Sequence, residues 1–172
     1  DTAVEGVIAR VLSGEADLGI GPEREPAPPL DARALFEMPF ALVFPKGHEL
    51  ARQAHVTWQD VARFPLISLQ GQFTERLLDE VQSALREAPL KPANEVAFMT
   101  TALAMAAAGL GVTVCMPYAA PLVTLYGQVM RPLEEPVLSR RFFTYTRQGR
   151  SLSPAAESFM AFLDGFARRA NA

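Results

Sequence analysis

The stretch ISLQGQFTER, residues 67–76, holds the pattern that decides the fold. Three residues of apolar-rich chain run into a polar turn centred on Gly71, and an amphipathic segment follows at once. Phe73, Leu77, Val81 and Leu85 recur at intervals of four, and Leu78 widens the stripe, which predicts a helix closed by Pro89 and Pro92. The run PLISL, 65–69, predicts the strand that feeds it. Strand, glycine turn and helix in this order make one unit of an α/β protein.

The same alternation extends outward in both directions. Towards the C-terminus, EVAF (95–98) is extended, Thr100 or Thr101 caps an alanine-rich helix stopped at Gly109, and VTVCM (112–116) is a buried strand. Ala104, Ala107 and Ala108 leave little side chain, so this helix can lie close to a sheet. A short helix near 122–126, a strand near 129–133 and a late strand RRFFTYT (140–146) follow. Ser153 as N-cap and Pro154 at N1 open the last helix, with Phe159, Phe162, Leu163 and Phe166 as its expected buried face.

Towards the N-terminus, Thr57 and Asp60 form a capping-box-like start for a small helix carrying Trp58 and Val61. FALVF (40–44) is a continuous apolar run of the kind found in strands covered on both faces. PEREPAPP (22–29) is a loop, ADLGIG holds a short buried strand from Ala16 to Ile20, and Val4, Val7, Ile8, Val11 and Leu12 share one helix face. Alternation of this kind predicts mostly parallel pairing with helices on both faces. The chain opens on a helix with no strand before it, so its start reads as the middle of a domain.

Composition narrows the function. The 172 residues are 49% hydrophobic and 20% charged, an ordinary globular balance. Lys plus Arg number 16 against 19 Asp plus Glu, a net charge of −3, which is poorly suited to gripping phosphates. The single cysteine, Cys115, excludes an internal disulfide framework and any multi-cysteine zinc site, and it fits a reducing compartment. No apolar run approaches the roughly 20 residues of a membrane span. His48 and His55, seven residues apart in a polar loop, carry no triad or metal spacing. The GLG at 109–111 follows a helix and precedes a strand, the reverse of a dinucleotide fingerprint, and reads as a helix stop. Neither a metal nor a cofactor site is expected, and no catalytic constellation.

The turn at 70–74 is the candidate site. Open α/β sheets bind ligands beyond the carboxyl ends of their strands, where this turn lies. The N–H groups of the helix start favour an anionic or carbonyl group, Gln70, Gln72 and Thr74 add hydrogen bonds, and Phe73 an apolar wall. Simple helix capping is the competing reading. Three other strand ends, near Gly21 with Pro22, Phe98 with Thr100, and Pro117 with Tyr118, are candidates for the same crevice, each with an equally ordinary role as a turn or cap.

Five segments in this order resemble the effector-binding domain of LysR-type transcriptional regulators: LSGEADLGIG (12–21), LFEMPFALVFPKGHELA (35–51), VTWQDVARFPLISL (56–69), AAAGLGVTVCMP (106–117) and LSPAAESFMAFL (152–163). Glu49 stands where most members carry proline, and Phe98 where many carry a small polar residue, which favours an apolar or aromatic patch there. The resemblance implies a fold like the type II periplasmic binding proteins: two Rossmann-like α/β lobes with mixed sheets. Lobe I would be 1–44 with 145–172, lacking its first strand–helix–strand, and lobe II 45–144, with a small-molecule cleft between them. It implies no catalysis and no cofactor.

It further implies a small organic effector, a DNA-binding winged helix-turn-helix outside this chain, a homodimer or homotetramer at full length, no membrane association and a cytoplasmic location. The effector contacts it implies, together with the turn, are Thr2, Gln70, Gly71, Gln72, Phe73, Thr74, Phe98 and Pro117. A secreted solute-binding receptor on the same fold is the alternative, and an enzyme on that fold is a third class.

Overall fold

A computed structural model describes residues 4–24, 29–85 and 90–170. The chain divides into two compact units, Asp1–Met38 with Ser139–Ala172 and Pro39–Leu138. These divisions fall several residues before the expected lobe boundaries at 44/45 and 144/145.

The first unit is built on helix α1 (Val4–Ser13), strands β1 (Leu18–Pro22), β2 (Leu30–Pro39) and β9 (Ser139–Arg147), and helix α6 (Pro154–Ala170). Its sheet has the order β1–β9–β2, with β9 antiparallel to β1. Ile8 and Val11 of α1 are buried, and α1 lies so close to β1 that a Cβ on Gly19 would stand 2.4 Å from Val7 Cγ1. Glycine is the residue that permits this approach. The Tyr145 hydroxyl donates to the Pro22 carbonyl at 2.6 Å and ties β9 to the end of β1.

The expected buried face of the last helix is corrected here. Ala156 and Ala167 are buried, whereas Phe159, Phe162 and Phe166 stay 45–61% exposed, with Phe159 stacked on Phe162. Periodicity finds an apolar face but not an opposing surface, and the three described strands leave much of this one uncovered.

The second unit carries β3 (Ala41–Pro45), β4 (Val56–Thr57), α2 (Trp58–Val61), β5 (Leu66–Leu69), α3 (Gln72–Leu85), β6 (Pro92–Val96), α4 (Met99–Ala107), β7 (Val112–Cys115), α5 (Ala120–Leu125) and β8 (Gln128–Glu134). The sheet order is β4–β8–β3–β7–β5–β6. Pairing is parallel between β4 and β8, β5 and β6, and β5 and β7. β3 runs antiparallel to both β7 and β8. The expected mostly parallel pairing thus becomes a mixed sheet in the second unit, through β3 set against the grain, and an antiparallel β1–β9 pair in the first. Alternation of strand and helix carries no information about which strand is inserted that way.

β3 is covered on both faces, with Ala41, Leu42, Val43 and Phe44 all buried. Helix α4 packs through Ala102, Leu103 and Ala106, not through Ala104, Ala107 and Ala108, which are exposed. In so apolar a helix the buried register cannot be read from an apolar count. Ala102 and Ala106, one turn apart, bring α4 onto Ile67 of β5. At α4's end, the Gly109 N–H donates to Ala106 O and the Leu110 N–H to Met105 O, with Gly109 at φ +77°. This is a left-handed helix stop.

Candidate functional site

Parallel pairing in the order β7–β5–β6 places three strand ends side by side. Beyond β5 the chain passes through Gln70 and Gly71 into α3, beyond β6 it enters α4 at Phe98, and beyond β7 it reaches Met116 and Pro117. The Gln70 N–H donates to Val96 O at 3.0 Å, which binds the first two of these ends together. Gly71 has φ +106°, a conformation that favours glycine, and its carbonyl accepts from the N–H groups of Thr74 and Glu75.

The N–H groups of the first residues of α3 and α4 have no partner within their own helices. Helix α4 begins at Met99, two residues earlier than a Thr100 cap requires and three earlier than a Thr101 cap. Phe98 occupies the N-cap and makes no side-chain cap hydrogen bond, and the Thr101 and Ala102 N–H groups donate to its carbonyl. The expected Thr100 or Thr101 cap is therefore replaced by an aromatic residue, 53% exposed, at an uncapped helix start.

Next to these ends lies a pocket inside the second unit. Its open space, solvent at the mouth included, is about 500 Å³. Strand β5 supplies Leu66 to Leu69, α3 supplies Phe73, Thr74, Leu77 and Leu78, and Met99, Met116 and Tyr118 come from the segments after β6 and β7. Phe40 and Trp58 complete an aromatic side, with the Phe40 ring 6.0 Å from Phe73 and 6.4 Å from Trp58.

Two polar groups of the wall are occupied by the fold, while Thr74 and Tyr118 add hydroxyls to it. Trp58 Nε1 donates to Pro136 O at 3.0 Å, and Ser68 Oγ donates to Leu69 O at 3.3 Å. Cys115 also lines the space; burial pushes its thiol up to about 12, so it stays protonated and neutral at ordinary pH. No Asp, Glu, Lys, Arg or His is among the described residues of the wall. Nor is there a cluster of His, Cys, Asp or Glu suited to a metal among the described residues. What this arrangement can do is hold an uncharged group against aromatic and thioether surface, with two helix N-termini at its edge.

The residues expected from sequence fall into four groups. Phe73 and Thr74 line the pocket. Gln70, Gly71 and Gln72 form its adjoining turn and are exposed. Phe98 and Pro117 stand at the neighbouring strand ends, outside the wall itself. Thr2 lies outside the described residues. Sequence reasoning passed over Phe40, Trp58, Leu77, Leu78, Met99, Cys115 and Met116, because buried apolar residues read as core. The available signal was position: Met99 and Met116 directly follow strand segments that share the site's edge.

Comparison with known proteins places this geometry in a family. Residues 2–167 match the family model of the LysR substrate binding domain. An HTH-type transcriptional regulator of Escherichia coli K12, YbhD, itself uncharacterised, is 33% identical over 153 residues, covering 89% of this chain and 48% of its own length. The regulator BbuR of Bordetella bronchiseptica is 35% identical over 108 residues, 62% of this chain and 33% of its own. The chain spans about half the length of the curated relatives it matches over most of its sequence.

Among solved structures, the effector-binding domain of QuiR in complex with shikimate superposes with a TM-score of 0.81 at 19% identity, covering 99% of this chain and 80% of that one. The regulatory domain of Synechocystis CcmR in complex with 2-PG gives 0.76 at 18% identity, covering 98% and 81%. These likenesses show the fold, an α/β architecture with mixed sheets like that of type II periplasmic binding proteins. The chain belongs to the LysR substrate binding domain family.

Proposed function

We propose that this chain is the effector-sensing domain of a bacterial LysR-type transcription regulator. The observation that carries the reading is the pocket beside the carboxyl ends of β5, β6 and β7, in a chain of this family. Its ligand is a small organic molecule, and the helix starts of α3 and α4, the latter without a side-chain cap, favour a carboxylate or carbonyl at the pocket edge. Gln70, Gln72 and Thr74 then hydrogen-bond that group, Gly71 lets the backbone approach it, and Phe73 packs on the ligand's body. Phe98, Pro117 and Thr2 remain proposed contacts.

Such a domain works by differential affinity. A ligand that favours one of two arrangements by 1–3 kcal/mol, the usual coupling range, shifts their populations about 5- to 150-fold. The DNA-binding head, a homodimeric or homotetrameric assembly and a cytoplasmic location belong to the same proposal. No helix among the described residues is long and apolar enough to cross a membrane. The relatives matched by sequence are regulators, which does not favour a solute-binding transport receptor, and the proposal assigns the chain no catalysis.

The test is a thermal-shift screen of the chain against small organic acids and their neutral analogues, followed by calorimetry on each hit. Thr74→Val with Gln72→Leu is expected to weaken a carboxylate hit at least tenfold, about 1.4 kcal/mol. Unaltered affinity in the folded double variant would place the carboxylate elsewhere.

A further inference from the structure

We propose that the cavity inside the second unit is an aromatic-ring subsite: it seats the uncharged, planar part of the ligand between the Phe40 and Phe73 rings and the Met99 and Met116 side chains. The proposal rests on the effector-sensing reading only in calling the occupant an effector. The chemistry of the wall carries the rest. Phe40 is 2% exposed and Trp58 fully buried, so their rings are held by the core, whereas Phe73 is half-buried at the start of α3. The tilt between Phe40 and Phe73 is 49° and that between Phe40 and Trp58 is 68°. Rings at such angles offer both edges and faces to a third ring, the arrangements that aromatic pairs favour.

Met99 and Met116 bring polarizable thioethers, which pack well on ring edges and adapt to shape. Nothing charged among the described wall residues can pair with an ionised group placed inside, and an unpaired charge there is costly. A polyhydroxylated ring fares little better, because most of its hydroxyls would give up water for a largely apolar wall, in which Ser68 and Trp58 are already engaged within the protein and the other hydroxyls among the described residues are those of Thr74 and Tyr118. The cavity therefore discriminates against ligands that are polar throughout, such as the shikimate seen with QuiR. It selects a molecule with one apolar aromatic end.

The experiment uses indole, cyclohexanol and shikimate as probes and the methionine methyl resonances of the whole chain as the readout. Indole is expected to move the Met99 and Met116 methyl signals upfield in a saturable way, with Kd below about 1 mM, and to give nuclear Overhauser contacts to both. Cyclohexanol should bind several-fold more weakly, and shikimate should leave both signals in place. Leu78→Trp, which fills the cavity from α3, should weaken indole at least tenfold.

Absence of saturable shifts, equal binding of shikimate, or unchanged indole affinity in a folded Leu78→Trp variant overturns the subsite. If that variant does not fold, the contacts in the unaltered chain decide. A hit from the thermal-shift screen that leaves both methyl signals unmoved overturns the subsite and preserves the sensing function. Indole binding at this site with no hit among the organic acids preserves the subsite and removes the carboxylate reading.

Discussion

Cys115 shows how one residue can be ordinary in sequence and informative in place. Its thiol is 3% exposed, and burial raises its pKa from 9.0 to about 12. Below about pH 9 both the folded and unfolded chains keep this proton, and the contribution to stability is fully present. Between about 9 and 12 the unfolded chain releases it while the folded chain retains it, so stability falls by about 1.4 kcal/mol per pH unit. Urea unfolding between pH 9 and 10.5 should therefore show a loss about 2 kcal/mol larger in the unaltered chain than in Cys115→Ala. Parallel losses would mean that the thiol ionises freely in the folded protein. Gly111 is a second such residue: at φ +153° a Cβ there would stand 2.1 Å from the Pro65 carbonyl oxygen, so close backbone packing fixes the second glycine of GLG and a helix stop the first. The sequence pattern identified the stop, at Gly109, but had no means of seeing the Pro65 strand edge that Gly111 meets.

At the scale of elements, legibility followed hydrogen-bonding logic and apolar continuity. The Thr57–Asp60 capping box is present in both directions: Asp60 N–H donates to Thr57 Oγ1 at 3.3 Å, and Asp60 Oδ2 accepts from the Thr57 N–H at 3.0 Å. Burial alone would raise the Asp60 pKa, but the Thr57 hydrogen bonds, joined by one from Gln53 and the charge of Arg63, together outweigh it and hold the carboxyl below its usual value. That contribution is present above the unfolded value of 3.8 and is lost as pH falls through the lower folded value. Thr57→Ala is expected to cost about 1 kcal/mol, read as a lower urea midpoint with an unchanged slope, and the deficit should shrink at strongly acidic pH as Asp60 protonates. Buried strands were equally legible, because Phe40–Phe44 and Leu66–Ser68 are apolar or small throughout and lie under cover. The strand β2 was not: Asp31 to Ala34 are exposed, and neither an apolar run nor a clean alternation marks it. It exists because it lies beside β9 at the other end of the chain, a partner no local pattern can supply. The same limit explains the pocket, whose turn at 70–74 could be read locally while its wall is assembled from six separate segments.

For the whole molecule, charge argues about partners. The net charge of −3 is spread over a chain in which the described ion pairs engage four of the fourteen arginines: Arg33 with Asp164 at 2.9 Å, Arg63 with Glu49 and Asp60, Arg10 with Glu15, Arg141 with Glu23. Surface pairs of this kind contribute little to stability, but arginines so placed are poorly disposed to line a phosphate-binding stripe. Counterion release scales with the number of phosphates neutralised, and a chain of net charge −3 gains little from it. The 172-residue chain is therefore expected to give no saturable, sequence-specific shift of duplex DNA at about 150 mM salt and protein concentrations up to about 10 μM, where even non-specific DNA-binding proteins begin to associate. Saturable binding of one duplex over a scrambled one would overturn the assignment of DNA reading to another part of the regulator. Absence of binding, together with a ligand that raises the melting temperature, would support the proposed division of sensing from reading, in which this chain would supply the ligand-dependent free energy and a DNA-binding segment elsewhere would convert it into occupancy of DNA.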